Sequence, residues 1–202
     1  MSLWEWLLHL DTILFSFIHT EAVIPGLDWF MKSLRNAFTW VPLYAFVVYW
    51  VFRYGKNYAW PFILLTIVTF AITDFTSAGI LKPLLSRTRP CYEPELQPII
   101  RGLVGCGGQY SFPSSHASNH FGLAAFWFWS IYLIRGRKWH WLWLWAFAIG
   151  YAQVYVGKHY PLDIIAGGIF GFFIGTLCAK IFERWNFPYR RGYRHTSLPG
   201  FN

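Results

Sequence analysis

The chain has 202 residues, of which 55% are hydrophobic, 22% aromatic and only 13% charged, with a net charge of +8. Its length fits a single domain, but its charged share is about half that of an ordinary soluble domain, and a soluble core of this size could not hide so many Trp and Phe side chains. Lipid is the solvent that fits, and with no nucleic-acid motif to claim the positive charge, no nucleic-acid partner is expected.

The chain opens with SLWEWLLHLDTILFSFIH, in which Glu5, His9 and Asp11 interrupt an apolar face. This reads as an amphipathic helix lying in the membrane interface, with a sixth spanning helix as the alternative. Stretches near 37–53, 59–81, 118–134, 139–157 and 162–182 are long and apolar enough to span. Trp40, Trp50, Tyr58, Trp60, Trp139 and Trp141 crowd their ends, as expected of interfacial belts. The expected fold is therefore an all-α polytopic bundle, with one membrane domain over 1–185 and a basic tail over 186–202.

Lys and Arg set the expected orientation. Arg53 and Lys56 follow the first clear span, Arg135, Arg137 and Lys138 follow the third, and Arg184, Arg190, Arg191 and Arg194 follow the last. Two spans separate each group from the next, so all three share one side, assigned to the cytoplasm. The loop 82–117 and the turn 157–162 then face away from the cytoplasm. Cys91 and Cys106 bracket that loop in a disulfide-permissive compartment and are candidates to pair. Cys178, inside the last span, reads as packing.

Three segments bring polar groups to that far side. LKPLLSRTRP supplies Lys82, Arg87 and Arg89; SFPSSHASNH supplies Ser114, Ser115, His116 and His120; GKHYPLD supplies Lys158, His159 and Asp163. Each has an ordinary reading: cations snorkelling at a helix end, hydroxyls capping a helix start, a surface His beside a capping Asp. Together they suit an anion. A helix start with unused N–H groups binds phosphate, an Arg held extended before Pro90 can aim a guanidinium at phosphate oxygens, and Asp163 can fix the tautomer of His159 and free its other nitrogen. Arg87 alternates with Arg89 and points elsewhere. His116 and His120, one turn apart, have the spacing of zinc ligands, but no Glu lies between them, and helix packing is the preferred reading for His120.

The order K-x6-R-P, P-S-x-H, H-x3-D resembles the type 2 phosphatidic-acid phosphatase superfamily over residues 60–182, and the flanks GGQYSFPSSH and YVGKHYPLDIIAGG look most like bacterial undecaprenyl-pyrophosphate phosphatases. The resemblance implies a metal-independent, cofactor-free lipid phosphatase. His159 would take the phosphoryl group as phosphohistidine, Asp163 would orient it, and His116 would protonate the leaving lipid oxygen. Lys82, Arg89 and the groups around Ser114 and Ser115 would hold the phosphate. Two positions depart from the pattern: Ser115 replaces a usual Gly, and Ala152-Gln153 replaces Ser-Arg. Gln153 can still hydrogen-bond phosphate but lacks the charge.

The expected substrate is a phosphorylated membrane lipid, undecaprenyl pyrophosphate first among them. The alternatives are a non-catalytic member that binds lipid phosphate, motivated by Gln153, and a transferase using the same site. Gly167, Gly171 and Gly175 form a stripe for close helix contact. Asp74, costly in lipid, should face the bundle interior, where Lys82 is its expected partner. No oligomeric state follows from the sequence.

Overall fold

The computed structural model describes residues 2–188. Arg190, Arg191 and Arg194 of the expected basic tail lie outside the described residues. Helix follows helix: α1 (Leu3–Ser16), α2 (Leu27–Leu34), α3 (Val41–Tyr54), α4 (Ala59–Asp74), α5 (Lys82–Leu85), α6 (Ser115–Arg135), α7 (Trp141–Tyr155) and α8 (Pro161–Asn186). A widened π segment, Phe75–Leu81, joins α4 to α5 without a break. Among the described residues the only strand-like pairing is an isolated bridge between Thr88 and Tyr110.

The stretches expected to span are helical, falling on α3, α4 and its extension, α6, α7 and α8. Among the described residues two helical runs, Lys56–Leu85 and Pro161–Asn186, are long and apolar enough to cross a membrane. The large apolar side chains Trp60, Leu144 and Phe173 are 72%, 72% and 65% exposed, which suits helices meeting lipid. α6 differs because it is the central helix, buried from Ala117 to Phe128, and it carries Ser118, Asn119 and His120 inside the bundle.

α6 and α8 touch backbone to backbone along the glycine stripe. A Cβ at Gly171 would collide with the Ser118 carbonyl, and one at Gly175 with the Gly122 carbonyl. The absence of side chains there brings the start of α8, with Asp163, against the start of α6, with His116. On the other side of α6 an aromatic core sets α7, with Trp127 stacked on Trp145 at 5.7 Å.

The N-terminal segment does more than rest on the bundle. Asp11 and His19 are both buried. Asp11 accepts from the Leu162 N–H at 2.8 Å, and His19 Nδ1 lies 2.7 Å from the Tyr155 carbonyl and Nε2 3.1 Å from the Arg101 N–H. Both residues thus reach the end of the bundle where α7 turns into α8. The segment between them runs along that end.

Candidate active site

The turn from α7 to α8 builds the first half of the site. Pro161 suits the first helical position, and Asp163 Oδ2 accepts the Tyr160 N–H at 2.9 Å, capping α8. The same oxygen lies 3.3 Å from His159 Nδ1. One oxygen of Asp163 thus both caps α8 and faces the His159 ring. With Nδ1 engaged, Nε2 is the ring nitrogen left for chemistry.

The loop before α6 builds the second half. Arg87 to Arg89 lie extended beside Gln109 to Ser111, with Arg89 N–H donating to the Gln109 carbonyl at 3.1 Å and Ser111 N–H to the Arg87 carbonyl at 2.7 Å. Extended backbone turns alternate side chains to opposite faces. Arg89 enters the cavity. Arg87 turns away and bridges Asp163 Oδ1, at 2.9 Å, and Asp11 Oδ2, at 2.7 Å, with its guanidinium 4.0 Å over the Tyr160 ring. Lys82 Nζ donates to the carbonyls of Tyr110 and Ser111 at 3.3 and 3.4 Å. The Cys91–Cys106 disulfide is formed, with Cα atoms 6.1 Å apart. It leads directly into Gly107, where a Cβ would lie 3.2 Å from Lys158 Nζ and where φ is +75°.

The start of α6 divides the two serines. Ser114 Oγ accepts the Ala117 N–H at 3.4 Å, and the Ser114 N–H donates to the Asp163 carbonyl at 3.0 Å. Ser114 is therefore a cap and a tie to α8, and its own N–H is already used. Ser115 faces the cavity, and the next N–H groups of this first turn have no intrahelical partner.

These pieces enclose a cavity of about 440 Å³. Lys82, Arg89, Lys158, Gln153, His116 and His159 all line it, so the sequence-predicted residues converge, with Asp163 behind His159 and Ser114 behind Ser115. Tyr44, Phe70 and Leu123 give it an apolar wall between α3, α4 and α6. Asp74 also faces it, but its partner is Asn119, whose Nδ2 donates at 2.9 Å. The expected pairing with Lys82 is not formed, because Lys82 turns two of its three N–H groups to the loop carbonyls. His120 Nδ1 lies 2.7 Å from the His116 carbonyl, the contact expected of helix packing.

Among the described residues several buried polar atoms in this wall have no partner: Arg35 Nε, Arg89 Nε, Ser115 Oγ and both side-chain heteroatoms of Gln153. Buried polar groups are normally satisfied, so their concentration around one cavity marks a place for a polar ligand. Burial, reinforced by Arg35 and Arg89, pushes the Lys158 ammonium down to about 8. Burial also pushes the His159 imidazole down to about 4, against the raising effect of Asp163, so the ring is neutral at pH 7. The arrangement offers an unprotonated nitrogen, a second imidazole, and cations on the surrounding walls. Arg35 and the Arg87–Asp11 contact were not found from sequence.

Residues 58–187 match the PAP2 superfamily. The chain is 38% identical to a lipid A 4'-phosphatase of Bacteroides thetaiotaomicron over 86% of its own length and 77% of the relative's. It is 26% identical to an undecaprenyl-diphosphatase of Sulfolobus acidocaldarius over 79% of its length and 71% of the relative's. The fold matches that of a transmembrane PAP2-type phosphatidylglycerolphosphate phosphatase of Bacillus subtilis, with a TM-score of 0.71 and 21% identity over 91% of this chain and 89% of the other.

Proposed function

The chain belongs to the PAP2 superfamily, and we propose that this membrane lipid phosphatase removes the phosphate of a lipid A-type glycolipid through a phosphohistidine on His159. The observation that carries the reading is the cluster of unpartnered buried polar atoms, Arg35 Nε, Arg89 Nε, Ser115 Oγ and the Gln153 amide, around the cavity that also holds His159 and His116. The flanking motifs pointed to undecaprenyl pyrophosphate. The higher identity to a lipid A 4'-phosphatase moves a lipid A phosphate ahead of it.

In this mechanism Lys82, Arg89 and the free N–H groups at the start of α6 hold the phosphate oxygens. His159 Nε2 donates its lone pair to phosphorus while the bond from phosphorus to the lipid oxygen breaks. His116, which burial pushes down to about 3 and so holds neutral in the free enzyme, takes up a proton together with the doubly negative phosphate and gives it to that oxygen. Water then attacks phosphorus, His116 takes the water proton, the P–N bond breaks and orthophosphate leaves. Asp163 stabilises the charge that develops on the His159 ring. Positioning and charge stabilisation carry most phosphoryl transfers, and the residues present supply both. The apolar wall of Tyr44, Phe70 and Leu123 would receive the lipid portion from the bilayer between α3 and α4.

The five expected spans, a multi-pass place in a bacterial inner membrane and a site opening to the periplasm or exterior complete the proposal. The Lys and Arg distribution supports them. Undecaprenyl diphosphate is the second reading, supported by the named diphosphatase relative and by the Lys82, Arg35, Arg89 and Lys158 cations around the cavity. The test is phosphate release by purified protein in detergent with EDTA, across lipid A, undecaprenyl diphosphate and phosphatidate. Release from lipid A supports the proposal. Release from undecaprenyl diphosphate alone moves the second reading into its place, and release from none overturns both.

A further inference from the structure

Arg35 stands just past the end of α2, outside the part of the chain that matches the family. Its side chain nevertheless lines the cavity of His159 and His116. Among the described residues no carboxylate lies within ion-pair distance of it, and its buried Nε has no hydrogen-bond partner. A half-buried guanidinium without a counter-ion is costly, and this one shares its cavity with other cations. Arg35 adds repulsion at Arg89, at Lys158 and at His116. Among the described residues Asp74 is the one carboxylate lining this cavity, and it is already bonded to Asn119.

Gln153 is the second observation. It is fully buried on the same cavity wall, and neither of its side-chain heteroatoms has a partner. An amide in that state waits for a ligand that can be hydrogen-bonded, but it brings no charge. Charge on this side of the cavity comes from elsewhere, from Lys158 on the α7–α8 turn and from Arg35 on α2.

Resting on the phosphatase reading above, we propose that Arg35 contacts the substrate phosphate and, with Lys158, supplies the positive charge on the wall where Gln153 is neutral. The ligand class is a doubly negative phosphate ester. The N-terminal segment thereby becomes part of the active site. It carries Arg35 at one end, and at the other it carries Asp11, which holds Arg87.

The test compares wild type, Arg35→Gln, Arg35→Lys and the double variant Arg35→Gln/Gln153→Arg, in detergent. Each is assayed for lipid A phosphate release and for the rise in melting temperature caused by inorganic phosphate. Arg35→Gln should lower kcat/KM by about ten- to a hundredfold, the loss of one charge-assisted bond. It should also shrink the phosphate-induced melting shift while leaving the phosphate-free melting temperature near wild type. Arg35→Lys should keep part of both. A guanidinium at 153 should restore release in the double variant, because the two positions face one ligand. Unchanged kcat/KM in Arg35→Gln overturns the inference, as does a loss of phosphate-free stability that Gln153→Arg does not repair. If wild type releases no phosphate yet its phosphate-induced shift depends on Arg35, the inference stands and the phosphatase reading falls.

Discussion

Arg87 grips Asp163 from the side opposite His159: its Nη1 is 2.9 Å from Oδ1, while Oδ2 faces His159 Nδ1 at 3.3 Å. The second guanidinium nitrogen binds Asp11, so one cation neutralises two buried carboxylates from distant parts of the chain. Removing it leaves both charges buried and unpaired, which costs about 3 kcal/mol or more. Arg87→Gln should therefore lower stability by that order and reduce kcat more than it changes KM, since the substrate does not touch Arg87. Asp11→Asn should cost less, because the amide oxygen can still accept the Leu162 N–H. Denaturation and steady-state kinetics on the same preparations check both.

The pH profile follows from two groups in the α7–α8 turn and from His116. Attack needs neutral His159, and with its pKa near 4 the neutral form appears as pH rises through that value. Lys158 works as a cation, and with its pKa near 8 the charge is lost as pH rises through that value. The kcat/KM profile of the free enzyme should thus carry a basic limb near 8 from Lys158, added to the dependence set by the proton that His116, pushed down to about 3 by burial, takes up with the phosphate. A bound phosphate favours the ammonium, so the basic limb of kcat should lie higher than that of kcat/KM. Lys158→Arg should remove the limb near 8; if the limb persists there, Lys158 is not its source.

Gly171→Leu tests the contact between α6 and α8. The new side chain has no space against the Ser118 carbonyl, and overpacking of this kind costs about 1–3 kcal/mol when the backbones can separate. Separation would move Asp163 from the start of α6. Activity should fall along with the melting temperature. A variant of normal stability and activity would show that the close approach is dispensable.

The disulfide should matter for the site as well as for stability. Cys91 and Cys106 are separated by 15 residues, and closing a loop of that size is worth about 3 kcal/mol. Cys91→Ser should lower the melting temperature in oxidising buffer and raise KM, because the loop that sets Gly107 beside Lys158 loses its tether. Reductant should reproduce the effect in wild type and do nothing further in the variant.

Much of this was legible because it is local. The three motifs carry their own geometry: Pro113 and the serines start a helix, Pro161 and Asp163 start another, and the extended Arg87–Arg89 pair splits its side chains between two faces. The apolar lengths gave the helices within a few residues. Arg35 and Asp11 were not legible, because the cavity that Arg35 lines and the groups that Asp11 bonds are built from residues far along the chain, and only tertiary packing joins them. Asp11 offered one clue, a carboxylate on an otherwise apolar helix face. The Asp74–Lys82 expectation failed because the sequence could not show that the loop carbonyls of Tyr110 and Ser111 would draw Lys82 and that Asn119 would meet Asp74.

The central claim is that His159 itself carries the phosphoryl group. The direct measurement is rapid quench of the enzyme with labelled lipid phosphate into alkali, where phosphohistidine survives, followed by peptide mass spectrometry. The account predicts a phosphoryl adduct on His159 in wild type, its absence with loss of turnover in His159→Ala, and its accumulation if the water step is slowed. A phosphoryl group on another residue, or normal turnover in His159→Ala, would contradict it.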